Sequence, residues 1–128
     1  MSTTKLVKKL DAVFSKYIRW YYADDSGYVE CYTCAVSKPV KEMQCGHFQS
    51  RKHRSTRWHK NNCRPQCVKC NMFSQGEQYM FGKLLELEIG KENVEQLLAT
   101  SRKTIKLGKV DLECLIEHYT EELKKLTS

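Results

Sequence analysis

The sequence predicts a small α+β fold in which a few short strands, held together by paired cysteines, lie between helical segments. Apolar residues recur at helical spacing near the N-terminus and again over the last third of the chain, whereas the middle carries two C-x-x-C pairs and turn residues. A length of 128 residues is that of one domain. Within it we distinguish an N-terminal helix (1–27), a cysteine-stapled core (28–82) and a tail of two to three helices (83–128).

A basic amphipathic helix is predicted from about Lys5 to Tyr22. Apolar residues at steps of three and four fall on one helical face, and here they are Leu6, Leu10, Phe14, Tyr17, Ile18 and Tyr21. The outer face carries several Lys and Arg residues and a single acid, Asp11. A turn over residues 24–27 ends this segment.

Short extended segments are predicted next. Tyr28 to Glu30 forms a strand that leads into the first cysteine pair, and Pro39 then interrupts the chain. Val40 to His47 is the next extended segment. These strands bring the chain from one cysteine pair toward the other.

Helices return after the second cysteine pair. The first is predicted to run through Asn71 toward Leu87, although Gly76 and Gly82 are unfavourable inside a helix. Gly90 is a helix stop. Two further helices, over residues 93–101 and 110–126, are expected to pack on the helix after Cys70 and on the N-terminal helix.

The two cysteine pairs predict a structural zinc site. A two-residue gap lets both thiolates of a pair reach one tetrahedral ion, and the pairs are Cys31/Cys34 and Cys67/Cys70. Disulfides or a redox pair are the alternatives, but an odd total of seven cysteines and the lack of an apolar signal segment favour a reducing cytoplasm. We expect Cys114 in the core, and Cys45 and Cys63 as buried thiols near the site, either of which could replace a zinc ligand.

The segment framed by the cysteine pairs has an unusual charge distribution. Residues 43–76 contain no Asp or Glu but hold seven Lys or Arg residues and three of the four histidines. The net charge of +7 therefore lies in this segment. Residues 77–128 carry more acidic than basic residues and are expected to add nothing to the positive field.

Three framed residues could carry chemistry. A closed four-thiolate zinc site does none itself, so a general base would have to be His47, at the end of an extended segment. Asn71 follows the last cysteine, where its amide oxygen could bind Mg²⁺, and Asn62 could fix the loop and orient the histidine. Each also has a structural interpretation: a loop histidine, a loop cap and a helix N-cap.

These residues carry a resemblance. A histidine ending a hairpin strand, an asparagine in the next loop and an asparagine after C-x-x-C resemble the HNH (His-Me finger) endonucleases with their ββα-metal core. The chain is more similar still to the phage lambda NinG (Rap) family, through the segments FSKYIRW, GYVECYTC, MQCGHFQSR and RWHKNNCRPQCVKCN. The resemblance implies a Mg²⁺- or Mn²⁺-dependent, structure-specific DNA endonuclease that hydrolyses a phosphodiester of Holliday junctions or D-loops.

Carried over to this chain, the resemblance makes His47 the general base, Asn62 the orienting residue and Asn71 a metal ligand. Many HNH enzymes place Asp before the histidine, but this chain has Gly46 there. A carboxylate ligand would have to come from outside the acid-free segment, with Glu30, Glu42, Glu77 and the pair Asp24/Asp25 nearest in sequence. Otherwise Asn71, His53 or His59, phosphate oxygens and water would hold the ion.

The same reading assigns DNA contacts and partners. The expected phosphate contacts are Arg51, Lys52, Arg54, Arg57, Lys60 and Arg64, and Trp58 would stack or wedge at a branch point unless it anchors the core. Branched DNA is the expected partner, in the cytoplasm of a host cell if the protein is phage-encoded, with no membrane contact. Recombination proteins are further candidate partners. The apolar stripe of the last helix is compatible with a homodimer interface or with burial in the monomer.

Two other classes of function fit the sequence. The chain could be a zinc-stapled DNA-binding module without catalysis, because Gly46 removes the expected acid. It could also be an adaptor that recruits recombination factors through its C-terminal helices.

Overall fold

The structure is a computed structural model that describes all 128 residues. It contains five α-helices and four short β-strands. In chain order these are α1 (Thr3–Tyr21), β1 (Tyr28–Glu30), β2 (Ser37–Pro39), β3 (Met43–His47), α2 (Arg54–Arg57), β4 (Cys63–Cys67), α3 (Gln78–Ile89), α4 (Lys91–Ser101) and α5 (Lys109–Thr127). The predicted α+β class is therefore confirmed, and so are the predicted N-terminal helix (α1) and the two predicted C-terminal helices (α4 and α5).

The main core forms where α1 packs on α5. Ser2 is the N-cap of helix α1, and its hydroxyl accepts a hydrogen bond from the Lys5 N–H at 3.2 Å. Its apolar stripe packs against the buried face of α5 and against two residues of the middle segment; the buried set is Leu6, Val7, Leu10, Phe14, Tyr17, Ile18, Trp58, Cys63, Leu112 and Ile116. The prediction that Cys114 lies in this core was wrong, because it is on the exposed face of α5.

Two antiparallel hairpins form the centre of the molecule. In the first, β1 pairs with β2 and Val29 lies opposite Lys38. In the second, β3 pairs with β4, and His47 lies opposite Cys63. Side chains alternate between the faces of a strand, so Cys45 and His47 share one face of the second hairpin while Gly46 points to the other.

The helical segment after Cys70 is interrupted, contrary to the expected continuous run. A single π-helical turn spans Lys69–Phe73, and regular helix resumes only at Gln78. Gly76 has a φ of 80°, a left-handed conformation that glycine adopts without strain, and its carbonyl accepts a hydrogen bond from Gln66 Nε2 at 2.9 Å. The break is thus held by β4, while Gly82 lies within α3 and Gly90 ends it as expected.

Helices α3 and α4 form a smaller core beside the second hairpin. Its buried residues are Phe81, Leu85, Val94 and Leu97. The packing of α4 on α3 and of α5 on α1 confirms the expected arrangement of the tail. None of the helices has the length and apolar character needed to cross a membrane.

Candidate metal centre and catalytic cleft

The two C-x-x-C pairs meet at one point of the structure. The sulfur atoms of Cys31, Cys34, Cys67 and Cys70 all lie within 4.8 Å of one another, and the Cys34 and Cys67 sulfurs are 3.7 Å apart. The first hairpin carries one pair, and β4 with the following turn carries the other. Four sulfur donors in this spacing could hold a structural metal such as zinc.

The surroundings of two of these thiols shift their pKa values in opposite directions. Burial opposes ionisation of Cys31, but hydrogen bonds from the Cys67 N–H, the Thr33 hydroxyl and neighbouring N–H groups lower the pKa of Cys31 to about 6. Burial and the adjacent thiols raise the pKa of Cys70 to about 12. Four thiolates this close repel one another unless a cation lies between them. The donor set therefore suits a metal that binds and deprotonates all four.

His47 lies at the end of β3 and lines an open cleft of about 540 Å³ between α1, β3 and the π-helical turn. Its Nε2 is 2.9 Å from the carbonyl oxygen of Arg57. A carbonyl can only accept, so Nε2 carries the proton and Nδ1 has the free lone pair in the neutral ring. Burial lowers the pKa of His47, and the nearby charge of Arg51 acts in the same direction. The ring is therefore held neutral, with Nδ1 as its free hydrogen-bond acceptor.

Asn62 is fully buried, does not line the cleft and forms no hydrogen bond with His47. Its Oδ1 accepts from the Gln49 N–H at 2.7 Å, and its Nδ2 donates to the carbonyls of Gln49 and Thr56 at 3.1 and 3.0 Å. These bonds join the two ends of the loop that follows β3. Since Arg57, whose carbonyl holds His47, comes directly after Thr56, Asn62 supports the histidine through the loop.

Asn71 lines the same cleft as His47, on the π-helical turn. Its Nδ2 donates to Gln44 Oε1 at 2.8 Å, whereas its Oδ1 has no hydrogen-bond partner within the chain. The amide oxygen is thus oriented by Gln44 and free to accept a ligand. The fold therefore places two of the three predicted chemical residues on one surface.

Asp11 is the only carboxylate in the cleft, and the sequence did not predict it there. It accepts hydrogen bonds from Arg51 at 3.1 Å, from Arg57 at 3.1 and 2.6 Å, and from the Trp58 indole at 2.9 Å. Burial alone would raise the pKa of Asp11, but the hydrogen bonds and charge of Arg57 lower it. The one signal in the sequence was its isolation as the sole acid on the basic helix.

An acid at the position before His47 would clash with a buried side chain in this fold. A Cβ at Gly46 would collide with the amide of Gln66 and lie 2.6 Å from its Cδ. Gln66 is fixed there because its Nε2 donates to the Thr33 hydroxyl at 3.1 Å and to the Gly76 carbonyl. Among the acids expected to compensate, Asp24 and Glu30 line a different cavity, beside the first hairpin.

Two of the expected DNA contacts are core residues. Arg64 is 1% exposed and forms a bidentate ion pair with Glu88 at 3.1 Å, while its third nitrogen donates to backbone carbonyls. Trp58 is 7% exposed and belongs to the main core. Neither can reach a phosphate or a base, so their assignment to the DNA surface was wrong. Arg57 is also largely buried, in its ion pair with Asp11.

The other predicted contacts remain at the surface. Arg51 is 60% exposed despite its ion pair with Asp11, and Lys52 and Arg54 are exposed beside it. Lys60 is half-buried, with its ammonium 3.6 Å from the centre of the Tyr21 ring. These residues form a basic rim on the loop between β3 and β4.

The C-terminal segment adds to this rim, contrary to expectation. Arg102 and Lys103, which follow α4, line one pocket of about 220 Å³ together with Lys52, His53 and Arg54. The Ser55 hydroxyl donates to the Thr100 carbonyl at 2.7 Å and holds the two segments together. The sequence contains a second stretch without Asp or Glu, residues 96–110. The net charge of residues 77–128 as a whole does not reveal it, because acidic residues on either side outweigh its basic ones.

Neither of the other two candidate histidines lies in the cleft. His53 belongs to the basic pocket just described. His59 caps a turn by accepting the Asn61 N–H at its Nδ1, and burial lowers its pKa. Their position gives no support to a role as ligands of an ion at Asn71.

Comparison with protein-family models finds one family that matches almost the whole chain. A family model described as "Bacteriophage Lambda NinG protein" matches residues 2–128. Comparisons with curated proteins and with solved structures found no match. The matched range includes both cysteine pairs, the cleft and the basic rim, and it confirms the resemblance to the NinG family. The chain belongs to the NinG family.

Proposed function

We propose that this protein is an HNH-type, Mg²⁺-dependent DNA endonuclease that cleaves branched recombination intermediates such as Holliday junctions or D-loops. The observation that carries the proposal is the meeting of His47 and Asn71 in one cleft, next to a basic rim. The order of elements also supports it, because a hairpin bearing the histidine is followed by a helical turn bearing the asparagine. Family membership alone is compatible with other roles in recombination.

His47 is suited to act as the general base. Its Nδ1 lone pair is free, and the Arg57 carbonyl fixes the ring by accepting from Nε2. His47 would take a proton from a water molecule, which attacks the phosphorus in line with the leaving 3′ oxygen. The lowered pKa keeps the base unprotonated at neutral pH. Asn62 would be a positioning residue, acting through the loop that carries Arg57.

Asn71 is the residue that would hold the cation, through its uncommitted Oδ1. Mg²⁺ accepts amide oxygens and keeps several waters, so phosphate oxygens and water could complete its shell. When bound, the ion would supply charge stabilisation at the phosphorane and at the leaving oxygen. Asp11 is committed to Arg51 and Arg57, and we assign it the role of orienting the exposed Arg51 toward the phosphate, while Arg57 stays in the largely buried ion pair.

The basic rim would bind the DNA backbone. Lys52 and Arg54 on one segment face Arg102 and Lys103 on another, so the positive surface extends beyond the cleft mouth. No carboxylate lines the pocket that they share. An acid-free surface of this kind binds phosphates without local repulsion, with an affinity that falls as salt rises.

The test is a nicking assay on labelled Holliday junction, D-loop and linear duplex with Mg²⁺ or Mn²⁺. We expect the wild type to cut branched substrates and His47→Ala to lose at least about 100-fold in rate, the scale of general-base catalysis. His118→Ala is the matched control, because this histidine is exposed on α5, away from the cleft. Equal rates for wild type and His47→Ala would contradict the proposal.

One observation favours a second candidate, a zinc-stapled DNA-binding module without catalysis. The cleft offers no uncommitted carboxylate for a catalytic ion, since Asp11 accepts four hydrogen bonds from its neighbours. This candidate predicts salt-sensitive binding to junctions with no nicking by the wild type under any divalent ion. An adaptor, in contrast, would bind junction and duplex equally and with little dependence on salt.

A further inference from the structure

A second cluster of metal-binding side chains lies on the second hairpin. The sulfurs of Cys45 and Cys63 and a ring nitrogen of His47 all lie within 4.8 Å of one another. The pairing of β3 with β4 produces this cluster, because Cys45 and His47 share a face of the strand and Cys63 lies opposite His47. We propose that these three residues form a second metal site, selective for a soft divalent cation such as Zn²⁺, whose occupation blocks His47.

The chemistry of the donors selects the class of metal. Two thiolates and one imidazole suit Zn²⁺ or Cd²⁺, whereas Mg²⁺ requires oxygen ligands. Three protein ligands also leave a fourth tetrahedral position for water. This cluster therefore differs from the closed four-thiolate site and from a magnesium position at Asn71.

The surroundings of His47 resemble those of a metal-bound histidine. Such histidines usually donate their other ring N–H to a carbonyl or carboxylate, which fixes the ring. Here the Arg57 carbonyl accepts from Nε2 at 2.9 Å, and the same oxygen lies 3.8 Å from the Cys63 sulfur. Nδ1 is left as the nitrogen with a free lone pair.

The cleft provides a route for the ion. Cys45 and His47 both line it, and Cys45 is half-buried rather than enclosed. Cys63 is fully buried beneath them and would be the innermost ligand. A metal could thus reach Cys45 and His47 from solvent, whereas Cys63 belongs to the main core.

Occupation of this site has a functional consequence, which rests on the proposed nuclease activity. A single Nδ1 lone pair cannot bind Zn²⁺ and accept a proton from water. Zinc would therefore inhibit nicking by competing for the base, while Mg²⁺, bound through oxygen, would not. The site would make the enzyme sensitive to free zinc.

The binding test does not depend on activity. Full-length protein already carrying its structural metal is titrated with Co²⁺, and thiolate-to-cobalt absorption and metal content per chain are measured. We expect the wild type to bind one further equivalent, with affinity reduced at least about tenfold in Cys45→Ser, since even loss of an outer-shell partner has an effect of that size. Cys114→Ser is the matched control, because Cys114 is an exposed cysteine outside both clusters.

A second variant protects the test from a folding artefact. Cys63→Ala, checked by circular dichroism, should weaken the same cobalt signal. Equal cobalt affinity in wild type, Cys45→Ser and Cys63→Ala would overturn the proposal. For the inhibitory role, the ratio of nicking rates with and without added Zn²⁺ should be smaller in wild type than in Cys45→Ser. Absence of nicking in all samples would refute the nuclease but leave the cobalt result intact.

Discussion

Replacement of Asn62 by alanine separates a structural role from a chemical one. The substitution removes three hydrogen bonds, of 2.7, 3.0 and 3.1 Å, that hold the loop between β3 and β4. At about 1 kcal/mol for each bond, the free energy of unfolding should fall by about 3 kcal/mol. For a chain of this size we expect the melting temperature to fall by about 4 °C per kcal/mol, or about 12 °C in total.

The assay is thermal unfolding at fixed zinc, followed by circular dichroism, together with hydrogen exchange at the Gln49 amide. The Gln49 N–H should lose its protection in Asn62→Ala, because Asn62 Oδ1 is its acceptor. Asn61→Ala is the matched control: its side chain forms no hydrogen bond within the chain, and we expect a change within about 0.5 kcal/mol. If Asn62→Ala melts like the wild type yet abolishes nicking, Asn62 acts on the chemistry directly and our assignment fails.

Four further predictions concern the cleft, its pH response, the rim and the metal. Gly46→Ala should destabilise the protein by about 1–3 kcal/mol through overpacking against Gln66, and by less in a Gln66→Ala background; equal effects in a double-mutant cycle would contradict the predicted clash. Burial lowers the pKa of His47 in the folded protein, so as the pH falls below about 6.5 the unfolded chain binds a proton at His47 before the folded one does. Stability should therefore decrease below this pH in the wild type, and less in His47→Ala. Parallel curves of melting temperature against pH would argue against this. Arg54→Ala and Arg102→Ala should each lower the salt slope of junction binding by about one; an effect of only the first would show that the two segments do not share a DNA surface. A strong zinc chelator should unfold the hairpins, because structural zinc supplies about 10–16 kcal/mol in comparable small domains; an unchanged dichroism spectrum would indicate that the four cysteines need no metal.

Local sequence signals predicted the helices and the cysteine site well. The stripe of α1, the stop at Gly90 and the two tail helices are confirmed because periodicity and glycine act within a few residues. The C-x-x-C spacing predicted that the two pairs share one site, because two cysteines separated by two residues can bind the same metal ion. Gly76 was noted as unfavourable inside a helix, but the break itself was not predicted, because it depends on a hydrogen bond from Gln66 on another element.

The sequence by itself therefore determined the α+β class, the four-cysteine site and the acid-free segment that contains His47. Only the tertiary structure decided which charges are available, because ion pairing depends on neighbours that are distant along the chain. It buried Arg64 against Glu88, placed Asp11 in the cleft, and joined Arg102 to the rim of Arg54. It also brought Cys45, Cys63 and His47 together, since strand register sets which side chains share a face.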